Sequence, residues 1–167
     1  MPEELAQQMP VMKQVLQAMN IPIYECQGWE ADDVIGTVGR ICSNNDWECV
    51  VVTGDRDSLQ LIDDNVHIKL VISRPGQTTA TLYDKAKFEE EYGFEPKKLI
   101  DLKALMGDSS DNIPGVAGVG EKTALKLVQQ YGSLREVLDR ENTSEKQITR
   151  IFEEVSAVDL RAASASD

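Results

Sequence analysis

The segment Met106-Gly107-Asp108-Ser109-Ser110-Asp111-Asn112-Ile113-Pro114-Gly115-Val116-Ala117-Gly118-Val119-Gly120-Glu121-Lys122-Thr123-Ala124 places two carboxylates just ahead of a glycine-punctuated turn that opens a helix. Hard divalent cations take oxygen ligands, so Asp108 and Asp111, three residues apart, have the spacing to share a magnesium or manganese ion. The glycines suit a different partner. Gly115, Gly118 and Gly120 permit close backbone approach, and a helix starting near Glu121 offers unpaired amides and the positive end of its dipole, a site for phosphate.

Two further acid clusters stand upstream. Gly28-Trp29-Glu30-Ala31-Asp32-Asp33 follows the strand-like run Ile21 to Cys26 and opens a helical pattern on Val34, Ile35, Val38 and Ile41. Thr53-Gly54-Asp55-Arg56-Asp57 follows Cys49-Val50-Val51-Val52, a short apolar run that reads as a buried strand. Ligands of open α/β sheets bind beyond the carboxyl ends of the strands, so Glu30, Asp32, Asp33, Asp55, Asp57, Asp108 and Asp111 are expected to converge on one crevice.

Each motif also has a plain structural reading. Acids in a helix first turn complement the dipole. Asp55 and Asp57 can be turn residues, Asp108 to Asp111 a loop with an N-cap, and the glycines a tight turn. Taken together these readings weaken, because three carboxylate clusters at strand ends would repel one another in one crevice without cations. Gly118 to Thr123, leading into an amphipathic helix, favours phosphate binding.

GWEADD, VVTGDRDSLQL and LMGDSSDNIPGVAGVGEKTA, in that order, resemble the 5′-nuclease family represented by the nuclease domain of bacterial DNA polymerase I, related to flap endonucleases and the PIN-like fold. The resemblance runs from about Pro2 to about Tyr131. It implies an α/β fold: a parallel-sheet PIN-like core over 1–95, a helical helix-hairpin-helix-like DNA-binding subdomain over 96–160, and a frayed tail over 161–167. It implies two-metal hydrolysis of DNA phosphodiesters in replication and repair, by magnesium or manganese. Asp32, Asp55 and Asp57 would hold one ion and Asp108 and Asp111 the other, with Glu30 and Asp33 bridging or orienting water. Gly115, Gly118, Val119, Gly120, Glu121, Lys122 and Thr123 match the element that in relatives grips duplex phosphates and holds a monovalent cation such as potassium. The partners implied are flapped, nicked or 5′-ended DNA, a polymerase domain, the family's N-terminal segment, and a second copy of the chain.

The chain departs from the family at its start. Family members begin with a strand carrying a metal-ligand Asp, a second strand with another, and a basic arch, and none of these precedes Met1. The core is therefore expected to be truncated and cleavage slow. Two rival readings stay open: a non-catalytic DNA-binding or scaffold fragment, and a magnesium-dependent phosphatase working through Asp55 and Asp57. The second explains Gly115 to Thr123 poorly.

Composition sets outer bounds. The chain has 167 residues, 41% hydrophobic, with 17 basic against 29 acidic residues and a net charge of −12. That balance opposes a free-standing DNA binder, since phosphate recognition leans on basic side chains. Carboxylates clustered around two cations and the lack of the basic arch account for part of it, and Asp63-Asp64 and Glu89-Glu90-Glu91 read as solvated surface. No apolar run approaches transmembrane length and no N-terminal signal is present, so a cytoplasmic protein is expected. Cys26, Cys42 and Cys49 lack metal-site spacing and read as buried thiols. His67, in an alternating run, reads as a solvent-facing strand residue.

The elements that must position these groups follow from periodicity. A helix runs to about Asn20, with Leu5, Met9, Met12, Leu16 and Met19 as its buried stripe and a kink at Pro10. A strand at 21–26, a helix at 31–44 and a strand at 48–53 make a βαβ unit. A short helix follows Asp57. Strands at 66–73 and 78–83 flank the turn Arg74-Pro75-Gly76-Gln77. Helices are expected over 85–92, ended by Gly93, and over 96–106, 121–130, 133–140 and 144–158. Ser133 and Ser144 are N-cap candidates, and Gln147 completes a capping box for the latter.

Overall fold

The computed structural model of the protein describes residues 2–140; the helix expected over 144–158, its Ser144 cap and the tail lie outside them. The chain forms two compact units, Met1–Ile41 and Cys42–Asp167.

The first unit is built on helix α1 (Glu3–Ala18) and most of helix α2 (Ala31–Asn44). Two acids, Glu3 and Glu4, occupy the first turn of α1, where they complement its dipole, and Pro10 lies inside the helix without ending it. The stripe expected to be buried is not. Leu5, Met9, Met12 and Met19 are exposed and no residue of α1 is buried, because the unit supplies no apolar surface to cover them. The run 21–26 is not a strand either. Pro22 has no amide to give to a ladder, and no strand of the unit pairs with the segment. Cys26 is consequently exposed rather than buried. Glu25 instead forms an ion pair with Lys13 of α1.

The second unit holds a three-stranded sheet in the order β1 (Cys49–Thr53), β2 (Val66–Arg74), β3 (Gln77–Tyr83). β1 and β2 run parallel, with Val51 opposite Ile68, and β2 and β3 form the expected hairpin, closed at Arg74 and Gln77 by Pro75-Gly76. The sheet is therefore mixed rather than all parallel. Alternation along β2 drives Val66, Ile68 and Leu70 into the core and turns Lys69 outward. β1 departs from the fully buried strand its apolar run suggested. Val50 and Val52 are 48% and 65% exposed, because alternate side chains leave on the face opposite the core. His67, paired with Val50 on that register, is half-buried rather than fully solvent-facing, and its Nδ1 is enclosed without a protein partner.

One core joins sheet and helices. Leu59 and Ile62, from and just after a 3-10 turn at Asp57–Leu61, meet Phe88 of α3 (Lys85–Tyr92), Leu99, Leu102 and Leu105 of α4 (Leu99–Met106), and Ala124 and Val128 of α5 (Glu121–Tyr131). Helix α3 starts at Asp84, whose side chain accepts from the Lys87 amide, and ends at Gly93 with φ 78°. The stretch expected as one helix from 96 is a 3-10 turn, Pro96–Lys98, leading into α4. α6 (Leu134–Arg140) is capped as expected by Ser133, whose Oγ accepts from the Glu136 amide at 3.2 Å, while the same Oγ donates to the Glu136 carboxylate.

Candidate metal centre

Strand β1 ends at Thr53, and the chain turns at once. The Thr53 hydroxyl accepts from the Asp55 amide (3.0 Å) and the Asp55 carboxylate accepts from the Asp57 amide (2.9 Å), so two side-chain turns in succession lead from β1 into the 3-10 turn that begins with Asp57. Arg56, between them, points elsewhere. Its guanidinium donates to the Tyr92 hydroxyl at 3.2 Å and lies 4.0 Å from Glu91, both on α3, which ties the turn to that helix instead of neutralising the neighbouring acids. Burial and a hydrogen bond with Glu91 push the Tyr83 hydroxyl beside this network up to about 12.

Helix α4 ends at Gly107, and a short closed loop follows. Asp108 and Ile113 exchange both backbone hydrogen bonds, at 2.9 and 2.8 Å, and the Asp108 carboxylate accepts from the Ser110 amide at 2.8 Å. Two glycines make this closure possible. A Cβ on Gly107 (φ 74°) would lie 2.4 Å from the Gly115 nitrogen, and one on Gly115 would lie 2.3 Å from the Met106 carbonyl carbon. Gly115, singled out for phosphate, thus has a structural task of its own, which is to let the chain leaving the acid loop pass against the end of α4.

The outcome is a crevice of about 310 Å³, lined among others by Asp57, Gln60, Lys103, Asp108, Asp111 and Pro114. One carboxylate oxygen each from Asp57, Asp108 and Asp111 lie within 4.8 Å of one another. The donor set is all hard oxygen from residues of mixed burial, which fits a hard divalent cation and not a soft metal. Asp57 therefore stands with Asp108 and Asp111, across the division between two ions that the resemblance implied.

Lys103, in the last turn of α4, was not foreseen. Its ammonium lies 2.8 Å from the Asp57 carboxylate and 2.5 Å from that of Asp108. Burial would lower its pKa, but the hydrogen bonds to Asp108 and Asp57 outweigh it and hold the lysine above its ordinary value. The same lysine is the main reason that Asp108 is held below the usual carboxylate range. Nothing in its sequence neighbourhood marks Lys103, because its meaning comes from a turn of chain that begins near residue 57.

Glu30, Asp32 and Asp33 belong to the first unit and open α2 with all three side chains exposed. Asp33 accepts from the Glu30 amide at 3.0 Å, so it also caps its own helix. At the other end of the glycine-rich segment, Gly118 adopts φ 82° within a turn closed by the Val119 amide on Val116, and Gly120 receives the amides of Thr123 and Ala124 as α5 begins. The amides of Glu121 and Lys122 precede the first intrahelical bond, which leaves them available to an external acceptor.

A family model described as the N-terminal resolvase-like domain of 5′-3′ exonucleases matches residues 1–93, and one described as the 5′-3′ exonuclease C-terminal SAM fold matches residues 94–162. DNA polymerase I of Chloroflexus aurantiacus is 44% identical over 154 residues, covering 92% of this chain and 16% of that protein. DNA polymerase I of Caldicellulosiruptor bescii is 47% identical over 137 residues, with 82% and 16% covered. The chain thus spans about a sixth of the length of these relatives. Among solved structures, a bacteriophage T5 5′-exonuclease with bound zinc shares the fold at TM-score 0.66 and 23% identity, over 96% of this chain and 63% of that one. The catalytic core of Rad2 in complex with a DNA substrate does so at TM-score 0.54 and 18% identity, over 92% and 49%. With both family models matched in sequence order and polymerase relatives above 40% identity, the chain belongs to the 5′-3′ exonuclease family.

Proposed function

We propose that this chain carries the metal-holding and duplex-gripping parts of a DNA 5′-nuclease that hydrolyses phosphodiesters near a 5′ end or flap. The observation that carries this reading is the gathering of Asp57, Asp108 and Asp111 oxygens within 4.8 Å, at the carboxyl end of β1, in a chain of this family. Magnesium or manganese held there would supply Lewis acidity toward the scissile phosphate and lower the pKa of the attacking water. Asp57, whose amide is held by the Asp55 carboxylate, and Asp108 with Asp111, set by the closed loop, are the ligands proposed for this centre. Asp55, at the turn between β1 and Asp57, is proposed as a further carboxylate of this centre. The α5 N-terminus, with Gly118, Gly120, the Glu121 and Lys122 amides and the Lys122 side chain, holds backbone phosphate away from the cut, with potassium at the preceding turn. Bound metal ions and DNA in the T5 enzyme, and DNA in the Rad2 core, are in keeping with this. So is a polymerase partner, given the relatives' name, and a cytoplasmic location; among the described residues no helix is long and apolar enough to cross a membrane.

The test is cleavage of a 5′-flap duplex in millimolar manganese by the wild type and by Asp108→Asn with Asp111→Asn, alongside thermal unfolding with and without metal. Metal should raise the wild-type melting temperature, by up to about 2.7 kcal/mol of stabilisation at a hundredfold excess over the dissociation constant, and the double variant should lose most of the rise. Cleavage insensitive to these two acids would sink the assignment, and turnover of an aryl phosphate without cleavage of DNA would favour the phosphatase.

A further inference from the structure

The crevice already contains a cation. Lys103 places its ammonium 2.8 Å from Asp57 and 2.5 Å from Asp108, two of the three carboxylates whose oxygens converge, and its side chain is only 33% exposed. Magnesium would take oxygens of the same carboxylates at about 2.0–2.1 Å. An ammonium and a dication on the same two carboxylates would be brought to within a few ångströms of each other with like charge, so each opposes the binding of the other. We propose that Lys103 is the built-in counter-cation of the acid cluster, and that a divalent ion enters by displacing it.

Three features fit this role. The position is self-consistent without metal, because one positive charge shared by two acids offsets the repulsion that would otherwise splay the loop away from the 3-10 turn. The lysine has somewhere to go. It sits in the last turn of α4, where helix carbonyls favour positive charge, and a four-carbon stem lets the ammonium swing out of the crevice without moving the backbone. Asp111, the third member, is exposed and has no ion pair with Lys103 within 4.0 Å, so it can receive an entering cation while the lysine still holds the other two. Displacement can then proceed stepwise, with no stage at which all three carboxylates stand bare.

The consequence is a trade. Lys103 stabilises the metal-free protein and lowers its apparent metal affinity, because the fraction of molecules with the crevice open scales the observed constant. This inference rests on reading the acid cluster as a metal centre, and the experiment separates the two. Titration calorimetry with manganese and with magnesium, at fixed ionic strength, is run on wild type, Lys103→Met, Lys103→Gln and Lys103→Arg, together with metal-free thermal melts of each. Removing the charge should lower the metal-free melting temperature and tighten metal binding about tenfold, while Lys103→Arg should stay near wild type in both. If Lys103→Met is unfolded without metal, manganese should refold it, and failure to do so while Lys103→Gln also binds no tighter would overturn the proposal. Wild-type binding of metal with unchanged or weaker affinity in the Met and Gln variants refutes displacement alone, as expected for a lysine that holds metal-bound water rather than metal ligands. Absence of metal binding in every variant refutes displacement together with the metal centre, whereas the metal-free melts still report on the counter-cation role.

Discussion

Asp63 shows how much of this structure depends on single carboxylates that do no chemistry. Burial raises its pKa, but it accepts from Ser43 Oγ at 2.6 Å and from the amides of Asn65 and Val66 at 2.8 Å each, and those bonds leave it below 3.8. It thus pins the entry to β2 against the end of α2. Because the folded pKa is depressed, the stability it adds is fully present above pH 3.8 and is lost as pH falls through the folded value. Asp63→Ala should destabilise the protein by about 1–2 kcal/mol near neutrality, with the difference from wild type shrinking in acid. Paired urea melts at about pH 7 and about pH 3 check this, and a gap independent of pH would contradict it. Asp57 and Asp108, at the same scale, differ from Asp63 in sharing the Lys103 ammonium, although Asp108 also accepts from the Ser110 amide and so helps to fix its own loop.

Among the elements, the loop from Gly107 to Gly115 carries the largest constraint. Its closure by Asp108 and Ile113 sets where both carboxylates stand, and the two glycines at its ends occupy space that any side chain would need. Gly115→Ala should therefore cost about 1–3 kcal/mol through overpacking against the end of α4, and should weaken metal binding as well, because the backbone must shift at the root of the loop. Gly118→Ala is the contrast. A Cβ there meets nothing within 4 Å, so its cost is limited to the strain of φ 82° and its metal affinity should be unchanged. Chemical denaturation and metal titration of the two variants decide the point, and equal loss of metal affinity in both would refute the special role of Gly115.

For the molecule as a whole, charge is decisive. A net charge of −12 repels DNA at a distance, so the duplex binding proposed above would have to come from local contacts at the α5 N-terminus and from cations that neutralise the acid crevice. Lys122→Ala should weaken duplex binding to a similar degree for all sequences and reduce the slope of log affinity against log salt by about one. An unaltered slope in the variant would remove Lys122 from the interface. Divalent cations should strengthen binding beyond what ionic strength allows, since they convert a repulsive crevice into a neutral one.

What local sequence determined was everything with a local cause. Val66 to Tyr83 read as a hairpin because alternation and Pro75-Gly76 act over a few residues, α3 ended at Gly93 because only a left-handed residue stops it there, and Ser133 capped α6 through its own hydroxyl. The acids Asp57, Asp108 and Asp111 were legible as candidates because their type and setting suit hard cations. Tertiary structure decided the rest. Within the first unit Ile21 to Cys26 has strand-like residues but no strand among the described residues to pair with, and the stripe of α1 has apolar residues but none of them buried, since burial is a property of neighbours and not of a pattern. Gly115 acquired its packing role, and Lys103 its two carboxylate partners, only when the chain brought residue 107 against residue 115 and residue 57 against residues 103 and 108, contacts whose energies are set by distance in space and carry no trace along the sequence.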